Sequence, residues 1–157
     1  MQTISIDGPD IAILRALQRD ASLTNAQLAD LVHLSPSQCS RRRAALESSG
    51  FIKGYAARLN AEALGFGLRA ITRINLRTHG GDHDDNFVAF IRRHGQIRGA
   101  YSVSGDADYL LDIHVRDLQE FAEFIHHHLL AHKLVAQVRS EIVLMTIKDD
   151  GDLPLLR

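Results

Sequence analysis

The sequence predicts an α+β chain: an N-terminal helix-turn-helix (winged-helix-like) domain ahead of a C-terminal ferredoxin-like βαββαβ sandwich. Three observations predict it. Two helix starts with the same local pattern stand close together, at Thr24 and Ser35. Apolar residues follow a helical period up to Gly50 and an alternating one from Leu68. The second half then runs strand, helix, strand, strand, helix, strand, the order of the ferredoxin-like split motif.

The first helix is expected after Asp7-Gly8-Pro9, with Ile11, Leu14 and Leu17 on one face. The second runs from Asn25 to about Val32 and buries Leu28 and Leu31. Thr24 and Gln27 form a capping box, in which hydroxyl and amide reciprocally satisfy backbone donors, and Leu23 can pack on Leu28 as a staple. The third helix repeats the pattern with Ser35, Gln38, Leu34 and Cys39. Pro36 stands at its first position, where a missing N–H costs nothing, and the helix runs to about Ser48, with Gly50 as C-cap glycine. FIKGYAARLN reads as a strand or short hairpin carrying Lys53 and Arg58, and AEALGFG as a hinge.

In LRAITRINLR, Leu68, Ala70, Ile74 and Leu76 face one way while Arg69, Arg73 and Arg77 face the other. THGGDHDD is a polar loop, and NFVAFIRRH a short helix with Phe87, Val88 and Ile91 inward. Strands follow around Arg98–Ser104 and Tyr109–Val115, then the amphipathic helix LQEFAEFIHHHLL and the long closing strand QVRSEIVLMTIK. The expected division is 1–60 for the helical domain with its linker strand, 66–150 for the ferredoxin-like domain, and 151–157 for a tail. That tail would dock through Leu153, Leu155 and Leu156.

An apolar content of 45% with 24% charged residues is that of an ordinary globular protein, and no run of eighteen apolar residues predicts a membrane span. MQTISIDGPD lacks the basic and apolar segments of a secretory signal, and the lone Cys39 at a core-facing position reads as a reduced thiol, so a cytoplasmic chain is expected. Net charge is −1, yet residues 1–60 hold 7 Lys and Arg against 5 Asp and Glu. A local basic strip on a mildly acidic protein can still contact phosphates.

A short helix, a tight turn and a second helix bearing Arg41, Arg42 and Arg43 is the sequence form of a DNA reader. Ser37, Gln38, Ser40 and Arg41 lie opposite Cys39 and Leu46 and can enter a major groove, where arginine pairs with guanine and glutamine with adenine. Arg42 and Lys53 suit phosphates, which fix orientation without reading sequence. Thr24 and Ser35, at the two helix starts, complete the candidate DNA-facing set.

DIAILRALQRDASLTNAQLADLV, LSPSQCSRR, GFIKGY and VSGDADYLL, in this order and spacing, resemble the Lrp/AsnC family of transcription regulators over nearly the whole chain. The resemblance implies double-stranded promoter DNA as a partner, and a homodimer, often a tetramer or octamer. It also implies a C-terminal domain that assembles and senses amino acids or related metabolites. Relatives usually place an apolar residue where Arg43 stands and basic residues where Ala44 and Ala45 stand. Arg43 is therefore expected to snorkel to the surface, and the far end of the helix to anchor phosphate weakly, with a smaller salt slope than such relatives.

Between two strands, Ser104-Gly105-Asp106-Ala107-Asp108-Tyr109 can offer backbone N–H groups to a carboxylate and an aspartate to an ammonium, which suits an amino acid. Gly and Asp equally suit a plain hairpin turn. In relatives this loop lies at the effector pocket between dimers, and some carry hydroxyls at the positions of Val138 and Ser140. The candidate effector set is Ser104, Gly105, Asp106, Asp108, Tyr109 and Ser140, and a valine at 138 points to an apolar effector such as leucine or methionine.

His128 and His132 are spaced to reach one zinc, but no further ligands complete a site, and no metal or cofactor is expected. With no Gly-rich phosphate loop and no nucleophile elbow, no enzyme is expected either. Two alternatives stay open: a siroheme-decarboxylase-like enzyme on the same architecture, and a nucleoid-organising DNA-binding protein indifferent to any effector.

Overall fold

In a computed structural model of the chain, the described residues are 6–77, 82–149 and 151–155. They form two compact units, Met1–Arg58 with Lys148–Arg157 and Leu59–Ile147.

The first unit holds α1 (Gly8–Arg19), α2 (Asn25–Val32) and α3 (Pro36–Ser48). Each start is fixed locally. Thr24 and Ser35 cap α2 and α3 in reciprocal boxes with Gln27 and Gln38. Asp7 and Asp10 form a third box at α1. Ile13, Leu17, Leu28, Ala29, Cys39 and Leu46 make the core, with Leu23 and Leu34 packed against it. Leu31 is not part of it and is 59% exposed. The inward arc of the two-turn α2 is filled by Leu28, Ala29 and Val32, and Leu31 falls beyond its edge. α2 ends on His33 in the left-handed region, at φ 56°. After α3, Gly50 turns the chain at φ 79° and the Ile52 N–H closes on the Leu46 carbonyl.

No strand forms over 51–60; that stretch makes no cross-strand pairing among the described residues, and a strand exists only through its ladder. The expected hinge is a closed turn. Asn60 Oδ1 accepts from the Ala63 N–H, and the Phe66 N–H donates to the Ala61 carbonyl. Residues 151–155 run along α1. The Gln18 amide exchanges two hydrogen bonds with the Leu153 backbone, and Arg15 donates to the Leu155 carbonyl. Backbone contacts thus hold this stretch, with Leu155 half-buried and the Leu153 side chain exposed; Leu156 lies outside the described residues.

The second unit contains β1 (Leu68–Leu76), α4 (Asp82–Arg93), β2 (Ile97–Ser102), β3 (Tyr109–Val115), α5 (Leu118–Phe124) with a π-helical extension over Ile125–Leu130, and β4 (Val135–Ile142). The sheet is antiparallel, in the order β2-β3-β1-β4. Alternation sends Ala70, Thr72, Ile74 and Leu76 to the helix side, where they meet Leu111, Ile113, Val115, Phe87, Phe121, Phe124 and Leu129. On α4, Phe90 packs on this core in the place expected for Val88. The π-helical turn also departs from the expected regular helix. Phe124 and Leu129, five residues apart, would diverge by roughly 140° at 3.6 residues per turn, and a wider turn brings both inward. β4 stops at Ile142, paired with Ala70, and Leu144, Met145 and Ile147 beyond it are exposed.

Candidate functional site

The outward face of α3 carries Ser37, Gln38, Ser40 and Arg41, all exposed. Their freedom differs. The Gln38 Oε1 already accepts from the backbone N–H (3.0 Å) and hydroxyl (3.0 Å) of Ser35, so only its NH₂ group remains to offer. The Ser37 hydroxyl lies 3.1 Å from that of Ser35. Thr24 likewise spends its hydroxyl on Gln27. Ser40 and Arg41 make no hydrogen bond or ion pair among the described residues, and Lys53 is exposed.

Arg42 points elsewhere. Its Nη1 lies 2.9 Å from Asp7 and 2.8 Å from Asp10, clamping α3 to the start of α1. The hydrogen bond from the Asp10 backbone, aided by Arg42, holds the Asp7 carboxyl below the usual range. Arg43 reaches the surface only in part, its guanidinium held by neighbours. It donates to the Leu23 carbonyl, to Glu47 and to the Tyr55 hydroxyl, with its guanidinium 4.6 Å from the Tyr55 ring centre. The residue that departs from the usual pattern thus ties the segment before α2, α3 and the stretch after α3 into one body. Beyond it, Ala44 and Ala45 leave the exposed end of α3 without a cation. Burial pushes the Cys39 thiol up, as expected of an inert core cysteine.

A second site lies on the sheet face away from the helices. Ser104, Gly105, Asp106 and Ala107 border a cavity of about 530 Å³ together with Arg73, Asn75, Val103, Leu110 and Arg139. Gly105, at φ 136°, turns the loop. Asn75 donates to the Asp106 carbonyl at 2.6 Å. Arg73 and Arg139 are register partners on β1 and β4, and Arg73 is paired with Glu141 at 2.7 Å.

Three residues of the expected effector set lie outside this cavity. Asp108 accepts from the Leu76 N–H at 2.7 Å, where the β1–β4 register shifts, so its carboxylate anchors the loop. Tyr109 pairs with Ile74 on the helix side and packs its ring at a tilt against Phe87. Ser140 is also on that side, bonded to the buried Thr72 hydroxyl at 3.0 Å. Val138 packs on the core, so the reasoning from a valine-lined pocket does not hold. Sequence reasoning missed Arg73, Asn75 and Arg139. The polar phase of β1 marked the first, but joining it to Arg139 requires the register of strands 66 residues apart.

Residues 69–153 match the Lrp/AsnC ligand binding domain, and residues 6–53 the winged helix-turn-helix DNA-binding family. The chain belongs to the Lrp/AsnC family of transcriptional regulators. It is 38% identical over 149 residues to a leucine-responsive regulatory protein of Rhizobium meliloti, covering 93% of this chain and 94% of that one. It is 32% identical to transcriptional regulator AzlB of Bacillus subtilis, over 97% of both chains. Among solved structures, a transcriptional regulator of Neisseria meningitidis in complex with L-Met superposes with a TM-score of 0.92 at 37% identity, covering 96% and 97% of the two chains. These Lrp/AsnC relatives are named as regulators, and the siroheme-decarboxylase alternative is not favoured. Among the described residues no helix is long and apolar enough to cross a membrane.

Proposed function

We propose that this chain reads promoter DNA as a cytoplasmic homodimer or larger assembly, and that an amino acid seated at the loop over 103–107 alters that binding. Ser40 and Arg41 are the base-reading pair, with Ser37 and the Gln38 amide beside them and Lys53 on phosphate. Arg42 is a positioning residue, because binding phosphate would cost it two carboxylates. Two-fold pairing presents two α3 helices to half-sites about one helical turn, ~34 Å, apart.

The observation that carries the effector reading is the placing of opposite charges around one cavity. Asp106 and Arg139 border it, one suited to an ammonium and one to a carboxylate, and Arg139 has no ion pair among the described residues. Val103, Ala107 and Leu110 supply an apolar wall. An apolar amino acid such as leucine or methionine fits that set, in line with the leucine-responsive relatives and the L-Met complex. The effector acts through unequal affinity for two assembly states.

Isothermal titration of the common amino acids tests this, followed by promoter-shift assays with each hit. Leucine or methionine should bind more tightly than lysine, asparagine or glutamine, and Arg139→Gln should weaken that binding. The reverse order, or binding of DNA unmoved by any amino acid, overturns the effector reading.

A further inference from the structure

The histidine-rich stretch after α5 is not absorbed by either site. Among the described residues it assembles no metal-binding group. Instead, His132 joins an aromatic cluster with α4. Its ring lies 4.8 Å from Phe90 and 5.5 Å from Phe87, and Phe90 in turn lies 4.1 Å from His94. Phe90, His94 and His132 floor a groove of about 560 Å³ between α4 and the turn following the π-helical segment. Asn86, Arg93 and Lys133 stand along it, with no carboxylate among the described residues that line it.

Backbone contacts fix both imidazoles. The His94 Nδ1 donates to the Phe90 carbonyl at 2.8 Å. The His132 Nδ1 accepts from the Leu134 N–H at 3.3 Å, which leaves its proton on Nε2. Burial, with His94 nearby, holds His132 below the usual histidine range, so its ring is neutral near pH 7 and offers a stacking face. Phe87 and Leu129 are fully buried, while Phe90, His94 and His132 are half-buried and leave part of each ring open. An open, mostly apolar ring surface with two cations and one amide beside it has the makeup of a small-molecule site.

We propose that this groove binds a flat aromatic acid, its ring lying on Phe90, His94 and His132 and its carboxylate between Arg93 and Lys133. The site is separate from the amino-acid cavity and does not depend on that reading. Stacking on aromatic faces supplies the attraction for the ring. The paired cations select the anion over its neutral analogue.

The chain contains no tryptophan, so an indole ligand can be followed by its own fluorescence against the full-length protein. Indole-3-acetate should show a saturable rise in anisotropy, and indole-3-acetamide should bind roughly tenfold more weakly. Phe90→Leu and His132→Gln should each weaken the acid roughly tenfold. Arg93→Gln with Lys133→Gln leaves the rings untouched and should bring acid and amide to equal affinity, which keeps the test valid if Phe90→Leu misfolds. Arg139→Gln and excess leucine should leave the indole signal unchanged. No anisotropy rise up to millimolar protein, or equal wild-type binding of acid and amide, overturns the proposal. Loss of the signal in Arg139→Gln does so as well, by placing the ligand in the other cavity.

Discussion

Arg42 and Asp10 meet across the helical unit, guanidinium Nη1 to carboxylate Oδ1 at 2.8 Å, and the same nitrogen reaches Asp7 at 2.9 Å. The contact joins the DNA-facing helix to the capping box of α1, so a cation in the arginine triplet works as a strut. Arg42→Gln should therefore lower the stability of this unit by about 1 kcal/mol, below the range for buried hydrogen bonds to charged groups because solvent reaches the pair. The salt slope of DNA binding should stay within experimental error. Thermal melts and a salt titration on one sample separate the two effects; an unchanged melt with a slope reduced by about one would make Arg42 a phosphate anchor.

The same clamp predicts a pH signature. Because the folded environment lowers the Asp7 pKa, its stabilising contribution is complete above the usual aspartate range and disappears as pH falls through the folded value. Asp7→Asn keeps a competent helix cap but removes the charge. The gap in melting temperature between wild type and Asp7→Asn should be widest near neutral pH and close on acidification below about pH 4. A gap that stays constant or widens in acid contradicts the assignment.

His33 ends α2 in a left-handed conformation that costs a residue with a side chain roughly 1–2 kcal/mol. His33→Gly should stabilise the helical unit by about 0.5–1 kcal/mol, less than the full cost because glycine also loosens the unfolded chain. Denaturant unfolding reads this as a higher midpoint at constant slope. A lower midpoint would mean that the imidazole contributes more than its backbone costs.

Asp108 predicts a separation of functions. Asp108→Ala removes the carboxylate that accepts from the Leu76 N–H and loosens the loop over 103–107, at about 1–3 kcal/mol for the unsatisfied donor. Amino-acid affinity should fall, while DNA affinity without effector should remain. Titration calorimetry and a promoter shift on the same preparation test the pair. Unaltered amino-acid binding would remove Asp108 from the support of that site.

What the sequence made legible follows the range of each signal. The boxes at Thr24 and Ser35 span three residues, so α2 and α3 could be placed almost to the residue. The alternating phase of β1 similarly gave the buried side of the sheet. The box at α1 went unread because its fourth position is Asp10 in place of Glu or Gln. Longer-range facts were out of reach. Whether Arg42 faces DNA or Asp7 depends on how α1 packs on α3, and whether Ser140 faces the cavity or Thr72 depends on strand register. The π-helical turn arises because Phe124 and Leu129 must share one core, a demand that no local pattern states.

Equilibrium binding of wild type and Arg41→Ala to a duplex selected by the protein from a random pool tests the account most directly, across a range of salt. Arg41 is exposed and makes no ion pair among the described residues, so its loss cannot be compensated within α3 and should leave the fold intact. Binding of the variant should weaken by about 1–3 kcal/mol at every salt concentration, with an unchanged thermal melt. Equal binding by wild type and variant would contradict the claim that this face of α3 reads DNA.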